Sequence, residues 1–378
     1  EGKRRGTVLA VREVNLAGVA DSQRNWFNDH MVFTHGYGVV AAYENTAGVD
    51  GSPTFYESNI PPTGALAIEQ PRVYFGEMSP DYSIVGGTGP DRELDYPDDK
   101  SANGQASNTY SGSGGVPVSS LFARLAYAVH YRDSNILLSN QMSSKSKILY
   151  DREPALRIKK VAPWLTLDSD PYPVVADGRI VWVVDGYTTT SRYPYGQFAD
   201  RSQVNAGSGL DHDFNYVRNS VKATVDAYTG RIHYYVIDPK DPIIQAWGKA
   251  FPGLLEPISA MPSALRSHLR YPQDLFKAQT DVYRTYHMTN PTTFYNKTDL
   301  WAVSPDPGSG EVGTTTFEAT PTTIAGARPQ AASSTGRRID PLYLLIQLPD
   351  QDALHFQIIR PFVPVSSGNA LTNLVSFM

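Results

Sequence analysis

Polar side chains of many types crowd into residues 23–40, close to the start of the chain. Asn28, Asp29, His30 and His35 stand there, and these are residue types that bind metals or transfer protons. The five-residue separation of the two histidines matches neither a His-Glu-x-x-His motif nor a pair one helical turn apart. The pattern therefore favours side chains that hydrogen-bond a tight turn, with a reaction centre or a metal site as the alternative.

A second combination of opposite charges, Arg72 with Glu77, occurs in the segment Gln-Pro-Arg-Val-Tyr-Phe-Gly-Glu. Such a pair can form a salt bridge or an acid/base site. Successive side chains of an extended strand point to opposite faces, so residues five positions apart lie on opposite sides. We therefore predict separate structural roles for Arg72 and Glu77.

A tyrosine-rich stretch follows an apolar run and contains Tyr187, Arg192, Tyr193 and Tyr195 together with several hydroxyl side chains. Exposed tyrosines with polar neighbours can stack on sugars or peptides. The alternative is that these rings cover the edge of a sheet, since tyrosine packs with an apolar body and a polar tip. This stretch is the main sequence candidate for a binding surface.

Two other patterns lack the partners that their chemistry requires. Residues 144–147 contain the Ser-x-x-Lys of penicillin-binding enzymes, but the accompanying Ser-Asp-Asn and Lys-Thr-Gly are absent. Residues 211–215 begin like a calcium loop, but Tyr216 and Lys222 stand where Gly and Glu are needed. The chain also has no cysteine, phosphate loop or dinucleotide fingerprint. We predict no catalytic residue, no metal and no cofactor, which favours a protein that is not an enzyme.

The composition is that of a folded protein. At 378 residues, with 41% hydrophobic and 19% charged residues, the chain can bury a sizeable core. Its net charge of −5 argues against a nucleic-acid partner, because phosphate binding needs a positive surface. The 23 Tyr, 30 Gly and 28 Pro favour strands, turns and long loops.

Turn signals predict antiparallel hairpins. The Asp-Gly of residues 177–178 and the Thr-Gly of residues 229–230 each separate two apolar runs, as does the polar segment 349–352. A helical block is predicted over residues 241–288, where an Asp-Pro pair opens the first helix. The predicted fold class is α+β, with antiparallel sheets and β-hairpins, a helical insert and long low-complexity loops.

A further helix is expected over residues 119–131, with a serine as its N-cap. Leu121, Leu125 and Val129 repeat at four-residue steps, which is the spacing of one helix face. Because few of its positions are polar, this helix is predicted to be well buried.

The predicted organisation has two parts that could form one compact unit. Residues 1–115 form the first part and end in a flexible Gly- and Ser-rich loop over residues 98–115, while residues 116–378 combine helices with antiparallel sheet. Residues 304–338 are predicted to be a disordered-like loop. No apolar run approaches the roughly 18–20 residues of a membrane helix, and both ends resemble cuts, so we expect a soluble piece of a longer protein.

Several segments carry a resemblance to a known family. Beside residues 23–40, they include Gln-Pro-Arg-Val-Tyr-Phe-Gly-Glu at 70–77, Ser-Pro-Asp-Tyr-Ser-Ile-Val-Gly at 79–86 and Leu-Arg-Tyr-Pro-Gln-Asp-Leu-Phe at 269–276. The chain resembles uncharacterised protein family zero-one-eight-two, actinobacterial multi-pass membrane proteins of unknown function. This resemblance implies a large extracytoplasmic domain at the cell membrane, attached through segments outside these residues. It implies no catalytic residue.

Together these observations favour a binding or assembly module that acts on cell-envelope components or on a membrane-protein partner. One alternative is a cell-envelope hydrolase or transferase whose site lies near residues 28–35. Convergence of these side chains in a cleft with Arg72 or Glu77 would favour it. Another is a metal-dependent sensor domain. The ligand and the oligomeric state do not follow from the sequence.

Overall fold

A computed structural model describes residues 5–86, 92–200, 208–306, 338–365 and 373–378. The strands of its first half are β1 Thr7–Val11, β2 Gly36–Tyr37, β3 Val39–Ala47, β4 Pro53–Ser58, β5 Thr63–Gly64, β6 Arg72–Val73, β7 Tyr82–Val85, β8 Glu93–Pro97, β9 Gln105–Asn108, β10 Val116–Pro117 and β11 Lys147–Tyr150. The later strands are β12 Thr166–Leu167, β13 Tyr172–Ala176, β14 Arg179–Thr190, β15 Tyr216–Asp226, β16 Ile232–Val236, β17 Leu255–Pro257, β18 Trp301–Val303, β19 Leu342–Ile346, β20 His355–Ile359, β21 Pro361–Pro364 and β22 Ser376–Phe377. The helices are α1 Leu121–Tyr131, α2 Asn135–Leu138, α3 Pro154–Val161, α4 Pro242–Ala250, α5 Ser263–Arg266, α6 Gln273–Tyr286 and α7 Pro291–Asn296.

The largest sheet has six strands in the order β12-β14-β15-β16-β17, and β13 also pairs with β14. All its pairs are antiparallel except β16 with β17. β14 is buried from Ile180 through Thr188, as expected for a run of β-branched and aromatic residues. The hairpin before it turns through Asp177 and Gly178, whose φ angles of 49° and 73° fit a type I′ turn.

The described residues also form six smaller sheets: β1-β3-β4-β5, β10-β11-β7, β18-β21-β22, β19-β20, β2-β6 and β8-β9. All three predicted hairpins are confirmed, as β13–β14, β15–β16 and β19–β20. The predicted α+β class is also confirmed.

Elements from both sides of residue 115 share one sheet and one core. β7 pairs with β11, and the largest apolar cluster joins Val39 and Phe75 to Trp182 and Val225. The prediction of a flexible loop over residues 98–115 is wrong in part. β9 within it pairs with β8, and the ring of Tyr110 is buried.

Side-chain caps explain where several helices begin. Asp241 caps α4 and Pro242 occupies its first turn, as the sequence predicted. The Ser120 hydroxyl accepts a hydrogen bond from the Ala123 N–H at the start of α1. Among the described residues, no helix is both long and apolar enough to cross a bilayer. Most of the predicted loop 304–338 lies outside the described residues.

The prediction that α1 is well buried is wrong. Leu121, Leu125 and Val129 all point to solvent. The helix packs instead through Ala128 and the rings of Tyr127 and Tyr131, because these reach the cluster built around β7 and β11. The apolar spacing correctly defined one face of the helix, but that face is the outer one.

Candidate functional site

A cavity of about 430 Å³ opens beside β1, β2 and β8. Its volume falls within the range of small-molecule sites. The residues directly after β1 include Arg12 and Glu13, and β2 supplies Tyr37. β8 supplies Asp95 and Tyr96. Aromatic and charged side chains therefore meet in one pocket, hereafter the β1–β2–β8 pocket.

His35 lies on the buried side of this pocket and engages both of its ring nitrogens. Nε2 is 3.1 Å from the Asp95 Oδ1, and Nδ1 is 3.0 Å from the Thr34 Oγ1. The ring stacks on Tyr74 at 4.5 Å between centroids. Since no ring nitrogen is left over, His35 holds the pocket floor together and is poorly placed to take a proton from a ligand.

Asp95 is the centre of this floor. Arg72 donates to both of its carboxylate oxygens, from Nε at 2.6 Å and from the second guanidinium nitrogen at 2.7 Å. Asp95 is buried, yet its pKa lies below the usual value because the hydrogen bonds from His35 and Arg72 outweigh the effect of burial. The bidentate pair fixes the direction of the Asp95 carboxylate.

Glu93, two residues earlier on β8, is buried beside it. Its Oε2 accepts hydrogen bonds from the hydroxyls of Tyr74 and Thr34, the latter at 2.9 Å. Its Oε1 accepts from the Tyr110 backbone N–H at 2.9 Å. Every oxygen of this buried carboxylate thus has a donor, as a buried charge requires.

Arg152 is fully buried and completes this hydrogen-bond network. It donates to the Tyr74 carbonyl at 2.7 Å, to the Ser83 hydroxyl at 2.5 Å and to the Thr34 carbonyl. Burial lowers the pKa of Arg152 to about 10, so it remains charged at neutral pH. The positive charge of Arg152 offsets the negative charge of Glu93. Its hydrogen bonds to Thr34 and Ser83 link the segment before His35 to β7.

Glu13 and Glu77 belong to a neighbouring group of carboxylates. Glu13 lines the pocket, accepts the Met78 N–H at 2.9 Å, and has a pKa raised by burial. Desolvation of the carboxyl group by nearby protein atoms, and then repulsion from the negative charges of Glu13 and Glu153, raises the pKa of Glu77 to about 7. Glu77 is itself exposed, so solvent screens this effect. As predicted, Arg72 and Glu77 do not pair, since Arg72 binds Asp95.

The three other candidates near His35 face different surroundings. Asn28, Asp29 and His30 lie in one π-helical turn, Asn28–Val32. The Asn28 amide donates to the Gln23 carbonyl at 2.7 Å, and Asp29 pairs with Arg24 at 2.9 Å. The His30 ring stacks on Tyr82 at 3.9 Å, and burial lowers its pKa. These contacts are those of a hydrogen-bonded turn, so the structure brings together His35 and Arg72 but not these three.

The tyrosine-rich stretch divides between core and surface. Tyr187 is fully buried and donates to Asp168, which removes it from any exposed surface. Tyr195 is fully exposed at a φ of 57°, and Tyr193 is half exposed with its ring stacked on Tyr216. Arg192 is exposed beside them.

Sequence reasoning missed Glu93 and Asp95, which carry the pocket floor. A signal was present, because the two acidic residues alternate with Leu94 and Tyr96 along a short strand and therefore share one face. That face is the buried one, the reverse of the usual arrangement, and buried polar residues are the informative exception.

Metal binding gains no support from the described residues. Within the ranges that the structure covers, no group of three or more His, Asp or Glu side chains is arranged to hold an ion. His212, in the segment that began like a calcium loop, contacts the Thr189 hydroxyl at 3.1 Å and the Gly209 carbonyl at 2.8 Å.

Fold and pocket together define an α+β protein with a cavity of small-molecule size above a buried ionic network. The chain belongs to the uncharacterised protein family UPF0182, whose family model matches residues 1–378. It is similar to a UPF0182 protein of Kineococcus radiotolerans, at 47% identity over 98% of this chain and 35% of that protein. UPF0182 proteins of Tropheryma whipplei and Streptomyces coelicolor are 44% and 41% identical, over 97% and 100% of this chain and 38% and 35% of theirs.

The chain thus spans little more than a third of the length of these curated relatives. Their names state no activity, and their origin agrees with the actinobacterial family identified from the sequence. No solved structure matches the chain.

Proposed function

We propose that this chain is a binding module and that the β1–β2–β8 pocket receives a carbohydrate component of the cell envelope. In this proposal the whole protein sits in the cell membrane and presents the module on the extracytoplasmic side. The membrane attachment lies in segments outside the 378 residues. Two observations support this membrane attachment: the family resemblance described above, and the fact that the chain covers only 35% of the length of its Kineococcus radiotolerans relative.

The observation that carries the proposal is the pairing of aromatic walls with a charged floor. Tyr37 and Tyr96 pack at 4.9 Å between ring centroids and line the pocket with Phe33. Sugar rings present apolar faces to such rings and hydroxyls to charged side chains. Arg12 and Asp95 supply a cation and a carboxylate at the same cavity.

The buried network favours binding over catalysis. The Asp95 oxygens are taken by Arg72 and His35, and the His35 nitrogens are taken in turn. These contacts hold the site in one shape before a ligand arrives, which reduces the ordering cost of association. His35 has no free nitrogen to act as a general base. Asp95 can still accept a hydrogen bond from a ligand hydroxyl at Oδ2, but its lowered pKa makes it a weak base.

One observation favours the hydrolase or transferase alternative. His35 and Arg72, which are distant in sequence, both hydrogen-bond Asp95, and Asp95 and His35 line the cavity. In that case the carboxylates of Asp95 and Glu13, whose pKa values are shifted in opposite directions, would be the acid and base candidates.

The test is calorimetric titration of the 378-residue chain with cell-wall oligosaccharides, using N-acetylglucosamine-containing disaccharides and pentose or hexose oligomers as probes. Tyr37→Ala removes one stacking wall and is expected to weaken binding about tenfold, or about 1.4 kcal/mol. Tyr195→Ala, a matched loss of one tyrosine outside the pocket, is expected to bind like the parent chain. Absence of binding by every probe, or equal binding by Tyr37→Ala, would refute the proposal.

The same mixtures decide between binding and catalysis. Mass spectrometry after long incubation is expected to show intact oligosaccharide. Cleavage or transfer that disappears in Asp95→Asn would establish the enzyme alternative.

A further inference from the structure

Helix α1 presents a row of large apolar side chains that the part of the chain in the structure leaves uncovered. Leu121, Phe122, Leu125 and Val129 retain between 47% and 81% of their accessible surface. Leu138, at the end of α2, is also 76% exposed. Scattered exposed apolar residues are normal, but a continuous helix face of them marks an interaction site.

The direction of this face is set by the opposite side of the helix. Tyr127 and Tyr131 pack with Tyr82 and Tyr150 in the cluster beneath α1. Ser120 caps the N-terminal end through the Ala123 N–H. Because both the buried face and the start of α1 are held, the apolar row is held outward.

Two exposed cations belong to the segment that contains α1 and α2. Arg132 ends α1 in the left-handed conformation, and its backbone N–H donates to the Val129 carbonyl at 3.3 Å, so it directly follows the last residue of the row. Arg132 is exposed, and so is Lys145 in the loop that follows α2.

The whole segment around α1 shares this bias, although the chain carries a net charge of −5. Residues 118–150 contain two lysines and two arginines but only one acidic residue, Asp133. The Asp133 carboxylate is already held by the Trp26 indole N–H at 2.7 Å and the Tyr82 hydroxyl at 2.5 Å. The exposed charge that residues 118–150 contribute is therefore basic, while Asp81 and Asp151 lie towards Tyr131 on the inner side of α1.

We propose that α1 docks on the surface of a lipid bilayer that contains anionic headgroups. The row Leu121, Phe122, Leu125 and Val129 enters the boundary between headgroups and acyl chains, while Arg132 and Lys145 remain at the level of the phosphates. Leu and Phe on one side of a helix with Lys or Arg at its border is the pattern of helices that lie in the membrane interface. Docking through α1 would also orient the β1–β2–β8 pocket relative to the membrane.

Charge argues against the main alternative occupant, a second copy of the chain. Pairing two α1 faces would bring the same basic edges together, and residues 118–150 offer no free carboxylate to neutralise them. An anionic bilayer supplies both the apolar layer and the opposite charge.

The proposal rests on the membrane attachment in the proposed function, but not on the ligand of the pocket. The test is co-sedimentation of the 378-residue chain with vesicles of equimolar phosphatidylcholine and phosphatidylglycerol, with phosphatidylcholine alone for comparison. The parent chain is expected to bind the anionic vesicles more tightly, and added salt is expected to weaken that binding.

Leu125→Glu is expected to lower the vesicle partition coefficient roughly tenfold to a hundredfold, because it removes one buried leucine from the docked state. Leu156→Glu on α3 is the matched control, since Leu156 is 45% exposed and Leu125 is 47% exposed. It is expected to bind like the parent chain. Leu125→Gln, which adds no charge, is expected to lose binding as well.

Three results would overturn the proposal: no binding of the parent chain, equal loss in Leu156→Glu, or undiminished binding of Leu125→Glu. Sedimentation velocity adds a further decision, because a dimer that Leu125→Glu dissociates would assign the face to a second copy. Circular dichroism checks that Leu125→Glu keeps its fold. Oligosaccharide titration of Leu125→Glu is expected to match the parent chain, so failure of the α1 proposal and failure of the pocket proposal give different results.

Discussion

Replacing Arg152 by methionine tests whether the pocket floor is held from beneath. Methionine has a similar reach but cannot donate to the carbonyls of Thr34 and Tyr74 or to the Ser83 hydroxyl. Three buried acceptors lose their donor, and the charge that offsets Glu93 is removed. Removing one member of a buried ionic network costs about 3–5 kcal/mol. That is a large part of the 5–15 kcal/mol by which domains are stable.

Urea unfolding followed by tryptophan fluorescence measures this loss, because the indole of Trp182 lies in the core and donates to the Phe75 carbonyl at 2.9 Å. Arg152→Lys keeps the charge but loses part of the hydrogen bonding, so its loss should fall between those of the methionine variant and the parent chain. Arg218→Met is the control. Its ion pair with Asp238 is at the surface, where solvent screens the charges and such pairs contribute little to stability.

A loss below about 1 kcal/mol for Arg152→Met, equal to that of the surface control, would refute this account of the network. It would mean that Thr34, Tyr74 and Glu93 find other partners or water without cost. A large loss of stability in Arg152→Met with no loss in Arg152→Lys would show that charge, and not hydrogen-bond geometry, is what matters there.

Two further predictions concern buried carboxylates. Asp241→Ala should lower the free energy of unfolding in urea titrations by about 2–4 kcal/mol. The reason is that the Asp241 carboxylate caps α4 and also accepts hydrogen bonds from the hydroxyls of Thr188, Ser220 and Tyr216. A loss under about 0.5 kcal/mol would contradict this prediction. Burial, and then Asp274, raises the pKa of Asp168 to about 6. Between about pH 4 and 6 the unfolded chain releases this proton before the native one, so the stability of the parent chain relative to Asp168→Asn should fall as pH rises. If the stability difference between the parent chain and Asp168→Asn stays constant or rises across that pH range, the raised pKa of Asp168 is contradicted.

Local patterns predicted the elements well where a turn or a cap decided them. The Asp-Gly of residues 177–178 selects a hairpin because both positions can adopt positive φ. Asp241 followed by Pro242 starts α4 because the carboxylate accepts two backbone N–H groups and proline fits the first turn. Such choices depend on a few adjacent residues and are visible in the sequence.

The candidate site was only partly predictable. His35 and Arg72 were both candidates, but their meeting depends on β2 pairing with β6 and on Asp95 arriving from β8. The spacing of residues along β8 does not show that this strand lies beside β2 and β6. Tyr187 was a candidate for a binding surface because of its polar neighbours in the sequence, but the fold buries its side chain in the core.

The sequence by itself determined the family, the α+β class, the hairpins and the capped helices, because these follow from motifs and from interactions between near neighbours. Tertiary structure alone decided which side of each element faces the core. The apolar row of α1 points outward because tyrosines on its other side fill the cluster with β7 and β11. Asp95 points inward because Arg72 and His35 hydrogen-bond it, and Glu93 points inward because Tyr74, Thr34 and the Tyr110 N–H donate to it and the Arg152 charge is near. Burial of a side chain depends on partners far along the chain, and only the folded molecule brings those partners together.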